Sequence, residues 1–206
     1  MQVKALEKHN NVGLIHTNAE IIEQNGSSRT LYNSIQPSGQ VFRKLLRKYR
    51  INLQTVMISR EALDALDVWF DKSMLYSGDA DMFLRIAKEY DILYLPQISA
   101  RYREHGTSLS ATQIDVLLHE HERILKNLTQ RFDGFMDLYP YEVDQFRINA
   151  LLAIINAKWK YVNGREARKS ITGHLTVSFI FPILYVLSFL PYRVVQYMKR
   201  CSRMTK

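Results

Sequence analysis

An apolar repeat of helical spacing that gives way, within two residues, to an unbroken apolar run commits this chain to an α/β architecture. Phe83, Ile86, Ala87 and Tyr90 recur at i, i+3, i+4 and i+7, which turns one face of a helix toward a core. Directly after them Ile92-Leu93-Tyr94-Leu95 reads as a short buried strand, with Pro96 expected to stop it. A second extended piece, Ile98 to Tyr102, leads to His105. At the other end of the helix the small pair Ser77-Gly78 delivers Asp79 to its start. Two readings of Asp79 stand together: aspartate is a favoured helix N-cap, and it is also a carboxylate poised on a helix lip. Asp81, in the first turn, gains from the helix dipole and pairs with Arg85 at i, i+4.

The remaining periodicities surround this unit. Val12 to Thr17 is strand-like, and Asn25-Gly26 is a turn dipeptide. The polar stretch from Ser27 to Gln40 reads as a loop. Val41, Phe42, Leu45, Leu46 and Tyr49 sit at helical spacing, with Arg43, Lys44, Arg47, Lys48 and Arg50 on the other faces, a pattern of a solvated basic face. Leu53 to Ser59 is strand-like, Glu61 to Leu66 a short helix, and Asp67 to Met74 a loop. Beyond residue 110 the character becomes helical. One stripe runs from Ile114 to Leu128 and another from Val143 to Val162, separated by Asp133-Gly134 and Pro140, with Gly164 ending the second. These two helices read as an all-α appendage on the α/β body.

Ile171 to Tyr192 is free of Asp, Glu, Lys and Arg for 22 residues, long enough to cross a bilayer of about 30 Å. Pro182 and Gly173 interrupt it, and Arg193, Lys199, Arg200, Arg203 and Lys206 follow. The expectation is an apolar helix lying in or dipping into a membrane surface, its basic tail attracted to anionic lipid. A full span and a helix buried in a core are the alternatives. The formal charge of +8 is concentrated here: residues 165–206 carry eight basic side chains and one acidic. The nearly neutral remainder argues against a nucleic-acid footprint spread over the fold.

Other chemistries are poorly served. Cys201 is the single cysteine, which excludes an internal disulfide or a cysteine–zinc cluster; an unmodified thiol or an acylated one are its two readings. His119 and His121 flank Glu120 but do not form a zinc-binding pair. Ser108 and Ser110 have no base at a suggestive spacing, and no glycine-rich phosphate loop is visible. Met1 to Asn10 has mixed charge and no apolar run, unlike a signal peptide.

Three groups of residues carry a family likeness. Gly78-Asp79-Ala80-Asp81-Met82-Phe83-Leu84-Arg85 matches an acidic pair leading into a helix. Tyr102, Arg103, His105, Ser108 and Ser110 match a Tyr-Arg-x-His-x-x-Ser-x-Ser pattern. Val12-Gly13-Leu14-Ile15 through Asn25-Gly26 and Thr55-Val56-Met57-Ile58-Ser59-Arg60 fit upstream. Over roughly residues 1–110 the chain resembles the second half of a family 2 glycosyltransferase of the GT-A fold. The resemblance implies a partial GT-A, Rossmann-like α/β domain (1–110), a helical extension (111–170) and a membrane-associating apolar helix with a basic tail (171–206). It implies inverting transfer from a nucleotide-sugar to a lipid-linked or surface-glycan acceptor at the cytoplasmic membrane face. Asp79 would be the base that takes the acceptor's proton. His105 would help hold Mg²⁺ or Mn²⁺ on the diphosphate, and Gly78, Asp81 and Arg103 would line the substrate. Two departures accompany it. Gly78 stands where the family has its first acid, and the family's donor-binding half, with its Asp-x-Asp, would lie before Met1. A separate chain supplying that half is therefore an expected partner. The alternatives are a non-catalytic remnant or accessory membrane-associated subunit, or a membrane-surface interaction protein.

Overall fold

A computed structural model describes residues 1–23, 25–105 and 112–204. After a short helix α1 (Gln2–Leu6), strand β1 (Val12–Ile22) forms the axis of a four-stranded mixed sheet. Strand β4 (Asp91–Arg103) runs parallel to β1 along its whole length. On the other side of β1, β3 (Met57–Ile58) pairs antiparallel at Leu14 and Ile15, and β2 (Ser28–Thr30) pairs antiparallel at Glu20 to Ile22. β1 is buried almost throughout, and Leu14, Ile15 and Ala19 are fully enclosed. The β1–β2 turn contains Gly26 with φ of +82°, a backbone state glycine adopts without steric cost.

A parallel pair needs a crossover, and the segment between β1 and β4 supplies it. This segment carries α2 (Phe42–Arg47), α3 (Arg60–Asp64) and α4 (Gly78–Glu89). Ser59 caps α3, its hydroxyl accepting the Ala62 N–H at 3.2 Å. α4 crosses β1 at Gly13, where an added Cβ would stand 2.5 Å from the Cβ of Tyr90. The expected apolar face of α4 is present, but every residue from Ala80 to Ala87 is buried, since later helices cover its outer side.

Pro96 does not stop the strand after Ile92. β4 continues through it, because the register jumps from Thr17–Leu95 to Asn18–Ile98. The proline thus sits in a bulge of an edge strand, where its missing N–H costs no ladder bond. The Leu53–Ser59 stretch also differs from expectation, forming a 3₁₀ turn at Leu53–Thr55 before the two-residue β3.

The later helices are α5 (Leu117–Arg131), α6 (Phe135–Leu138), α7 (Pro140–Tyr161), α8 (Gly164–Thr172), α9 (Ile180–Leu187) and α10 (Tyr192–Met204). Gly134, at φ +66°, makes the break before α6, and Pro140 opens α7 at a position that needs no amide donor. Ile124, Leu125, Leu128, Val143 and Phe146 join Phe83, Leu84 and Leu14 in one core cluster. α5 and the start of α7 are therefore built into the α/β core rather than appended to it. A second cluster joins the far half of α7 (Leu151, Ile155, Trp159) to Ile171, Phe181, Leu184 and Val195. Gly164 begins α8 instead of ending α7. Asn163 is the cap, accepting the Glu166 N–H at 3.0 Å, and the Ser188 carbonyl would lie 2.1 Å from a Cβ at Gly164.

The uncharged stretch 171–192 is not one helix. It comprises the end of α8, a turn, α9, and a second break before α10. Pro182 falls in the first turn of α9, where it is tolerated, and Pro191 separates α9 from α10. No helix of the described residues is long and apolar enough to cross a membrane. Ile171, Phe181 and Leu184 face inward, whereas Phe179, Ile183, Val186 and Phe189 are exposed, Phe179 at 84%.

Candidate functional site

The segment that leads into α4 is held by a carboxylate from another helix. Glu120, on α5, is 3% exposed and accepts the backbone N–H groups of Leu75 at 2.7 Å, Tyr76 at 3.0 and 3.1 Å, and Ser77 at 2.6 Å. Backbone amides that would otherwise lack acceptors are satisfied at once, and the entry into α4 is fixed. Ser77 occupies the N-cap position, but its hydroxyl makes no capping bond. The cap reading of Asp79 is thus replaced, as Asp79 lies within the first turn.

Asp79 is half-buried and accepts a long hydrogen bond, 3.5 Å, from the Tyr49 hydroxyl. Burial raises its carboxyl above the ordinary range. The backbone N–H groups of Ala80 and Asp79 and the Tyr49 hydroxyl pull the other way, and Glu120 adds a small upward push. Tyr49 is itself held well above the usual phenol value, first by burial and then by Asp79 and Tyr32, so it remains a proton donor toward the carboxylate. Tyr32, pushed up to about 12 chiefly by burial, donates to the Arg50 carbonyl at 2.9 Å. Its ring meets those of Tyr94 at 6.0 Å and His16 at 6.3 Å, both edge-on. Of these aromatic groups, Tyr49 is the one bonded to the acid.

Asp81 and Arg85 form the expected i, i+4 pair, at 2.9 Å and almost wholly buried. The Arg85 fork also donates to the carbonyls of Val68 at 2.6 Å and Trp69 at 2.8 Å, and Asn127 donates to the other Asp81 oxygen at 3.2 Å. Both Asp81 oxygens are engaged, and the group fastens the loop before α4 to the helix. Gly78 opens α4 with Met74 and Phe70 at ordinary contact distance from a notional Cβ. Arg103 ends β4, exposed and paired in register with Ile22.

His105 follows at once, exposed, on the wall of a cavity of about 1380 Å³ between the β1–β2 turn, the end of β4, α7 and α10. Arg29, Glu104, Lys160, Tyr161, Tyr192 and Arg193 also line it, whereas Asp79 does not. Glu104 accepts the Tyr161 hydroxyl at 2.8 Å, ion-pairs with Lys160, and lies 3.7 Å from Arg29. Burial pushes its carboxyl up, but Lys160, Tyr161 and Arg29 together outweigh that and hold it below the ordinary range. Tyr76 links the two areas. Burial raises its phenol first, and Tyr102, Asp79 and the cavity-lining Tyr161 lie within its electrostatic reach. Ser108 and Ser110 lie outside the described residues.

Among the described residues no three His, Cys, Asp or Glu side chains gather into a group able to hold a metal ion. His105 and its neighbours do not by themselves fit a divalent centre, Glu104 being already committed to Lys160 and Tyr161. Sequence reasoning missed Glu120 and Tyr49. The first had a signal, because Glu120 shares the helical stripe of Leu117, Ile124 and Leu128. No family model matches the chain, and no curated protein matches its sequence.

Proposed function

We propose that the chain provides the acceptor-side half of an inverting, nucleotide-sugar-dependent glycosyltransferase of the GT-A type, working on a lipid-linked or surface-glycan acceptor at a membrane face. Asp79 carries the reading. A carboxylate whose proton affinity is raised by partial burial suits a general base, provided it sits within reach of an acceptor hydroxyl. In this proposal Asp79 takes the acceptor proton, and Tyr49 orients it. Tyr76 lies within electrostatic reach of both Asp79 and Tyr161 of the large cavity, where Arg29, Lys160 and Arg193 would meet acceptor phosphate. The sugar nucleotide, with its Mg²⁺ or Mn²⁺, would be held by a donor-binding unit outside these residues, and His105 is what this chain would contribute toward the metal.

Membrane association fits the same arrangement. Exposed Phe179, Ile183, Val186 and Phe189 lie on and beside α9, and Val194, Tyr197 and Met198 are exposed on α10, whose sequence also carries Arg193, Lys199, Arg200 and Arg203. Exposed apolar and aromatic groups beside a basic segment favour an anionic lipid surface. The deciving experiment is transfer of labelled sugar to a polyprenyl-linked acceptor by membranes containing the protein. The Asp79→Asn protein should fold and bind vesicles but lose transfer. Transfer that persists in Asp79→Asn removes the base assignment, and a protein that ignores anionic vesicles removes the membrane component.

A further inference from the structure

We propose that a second, smaller cavity beneath α2, walled by His16 and Gln36 and rimmed by Lys44, Lys48 and Arg50, binds a small organic phosphate. It encloses about 240 Å³, and its lining residues include these three cations and no acid. At its inner wall His16 is only 2% exposed, and its Nδ1 has no hydrogen-bond partner. That nitrogen has almost no open surface of its own, so the cavity meets the imidazole elsewhere on its ring. Burial also lowers the imidazole to about 4. It is therefore neutral near pH 7 and able to donate to a phosphate oxygen or accept from a ligand hydroxyl.

The pocket is built rather than incidental. The His16 ring is set by Tyr94 at 5.0 Å and Tyr32 at 6.3 Å. Gln36, 3% exposed, donates to the Ser34 carbonyl at 2.8 Å and accepts from Arg50 at 3.3 Å, which leaves further guanidinium donors on Arg50. Lys44 stands on α2, Lys48 directly follows its last residue, and both line the cavity. Val41, Leu45 and Ile92 give the cavity an apolar wall. Cations at the mouth, a neutral imidazole inside and apolar sides suit a phosphate carried on a body of a few carbons. The volume lies just below the usual range for drug-sized ligands, about 300–1,000 Å³, and matches a small phosphate compound. The proposal stands independently of the sugar-transfer reading.

Glycerol phosphate and inorganic phosphate are the probes, titrated into the full chain at constant ionic strength while the His16 ring resonances are followed. A saturable shift of the His16 signals, with glycerol phosphate binding tighter than inorganic phosphate, is the expected result. The Lys44→Gln/Lys48→Gln double variant, altered only at exposed positions, should keep its circular dichroism and bind about tenfold more weakly, as for lost charge-assisted contacts. Shifts that never saturate, His16 signals that stay fixed while phosphate binds elsewhere, or a double variant that binds as tightly as the parent would each overturn the proposal.

Discussion

Replacing Glu120 tests how the candidate base is held. In the native chain its two oxygens accept three consecutive backbone N–H groups, from Leu75, Tyr76 and Ser77. Glu120→Ala removes every one of these acceptors. A buried donor left without a partner costs roughly 1–3 kcal/mol. Ser77 is buried and must bear that cost in full, Tyr76 is partly covered, and Leu75 is exposed enough for water to replace the carboxylate. Glu120→Ala should therefore lose roughly 2–4 kcal/mol, a large share of the ~5–15 kcal/mol that holds a typical domain together. Glu120→Gln keeps one acceptor oxygen and turns an amide NH₂ toward the remaining donors, so its loss should fall between zero and that of alanine. Urea unfolding gives the midpoints, and an unchanged slope shows that the unfolded state is not responsible. Amide exchange at residues 75–77 gives the local readout, with protection in the parent, its loss in the alanine variant and a partial loss in the glutamine variant. An alanine variant within about 0.5 kcal/mol of the parent, or parent amides at 75–77 that exchange like open loop, would refute the clamp.

Other perturbations follow from the same geometry. Burial holds His16 and His121 down to about 4, whereas an unfolded histidine titrates near 6.5, so each adds stability that is complete above about pH 6.5 and lost as pH falls through 4. At roughly 3 kcal/mol per histidine, the urea midpoint should drop steeply between pH 7 and 4, and His121→Phe should flatten that slope; an unaltered slope counts against buried neutral imidazoles. Asp79 has the opposite sign. Its raised value means stability that is present below the ordinary carboxyl range and lost as pH rises through the folded value, so Asp79→Asn should outlast the parent at neutral pH, with the gap closing in acid. Arg85→Lys cannot reproduce the fork that reaches Asp81, Val68 and Trp69 together, and should cost about 3 kcal/mol by thermal unfolding; a near-neutral change would show that the pair is not structural. Gly13→Ala must displace Tyr90 and should cost about 1–3 kcal/mol by the same measurement, a neutral result contradicting the close crossing of α4 over β1.

What could be read from the sequence followed the range of each signal. Periodicity found α4, α5 and α7 because a helix repeats its environment every turn, and it found the ends of β1 and β4 where apolar runs begin. It did not extend β4 past Pro96, because only the register against β1 reveals a bulge that excuses the proline. It misjudged residues 171–192 for a related reason. Hydropathy counts apolar residues, but whether they form one helix depends on turns at Gly173 and Pro191 and on the pocket that α7 and α8 make for Phe181 and Leu184. At the site, Asp79, Asp81 and Arg85 were visible because they are close in sequence, and the i, i+4 rule alone gave the ion pair. Tyr49, 30 residues away, was not, since nothing local distinguishes a tyrosine that ends an apolar stripe from one that touches an acid. Glu120 is the more instructive case. A carboxylate on the buried stripe of an amphipathic helix has no stable existence without donors, so its position already required a partner backbone. Only the identity of that backbone, the turn into α4, needed the fold. The same reasoning applies to His16, a polar residue inside an almost wholly buried strand, whose place in the wall of a basic-rimmed cavity only the fold could show.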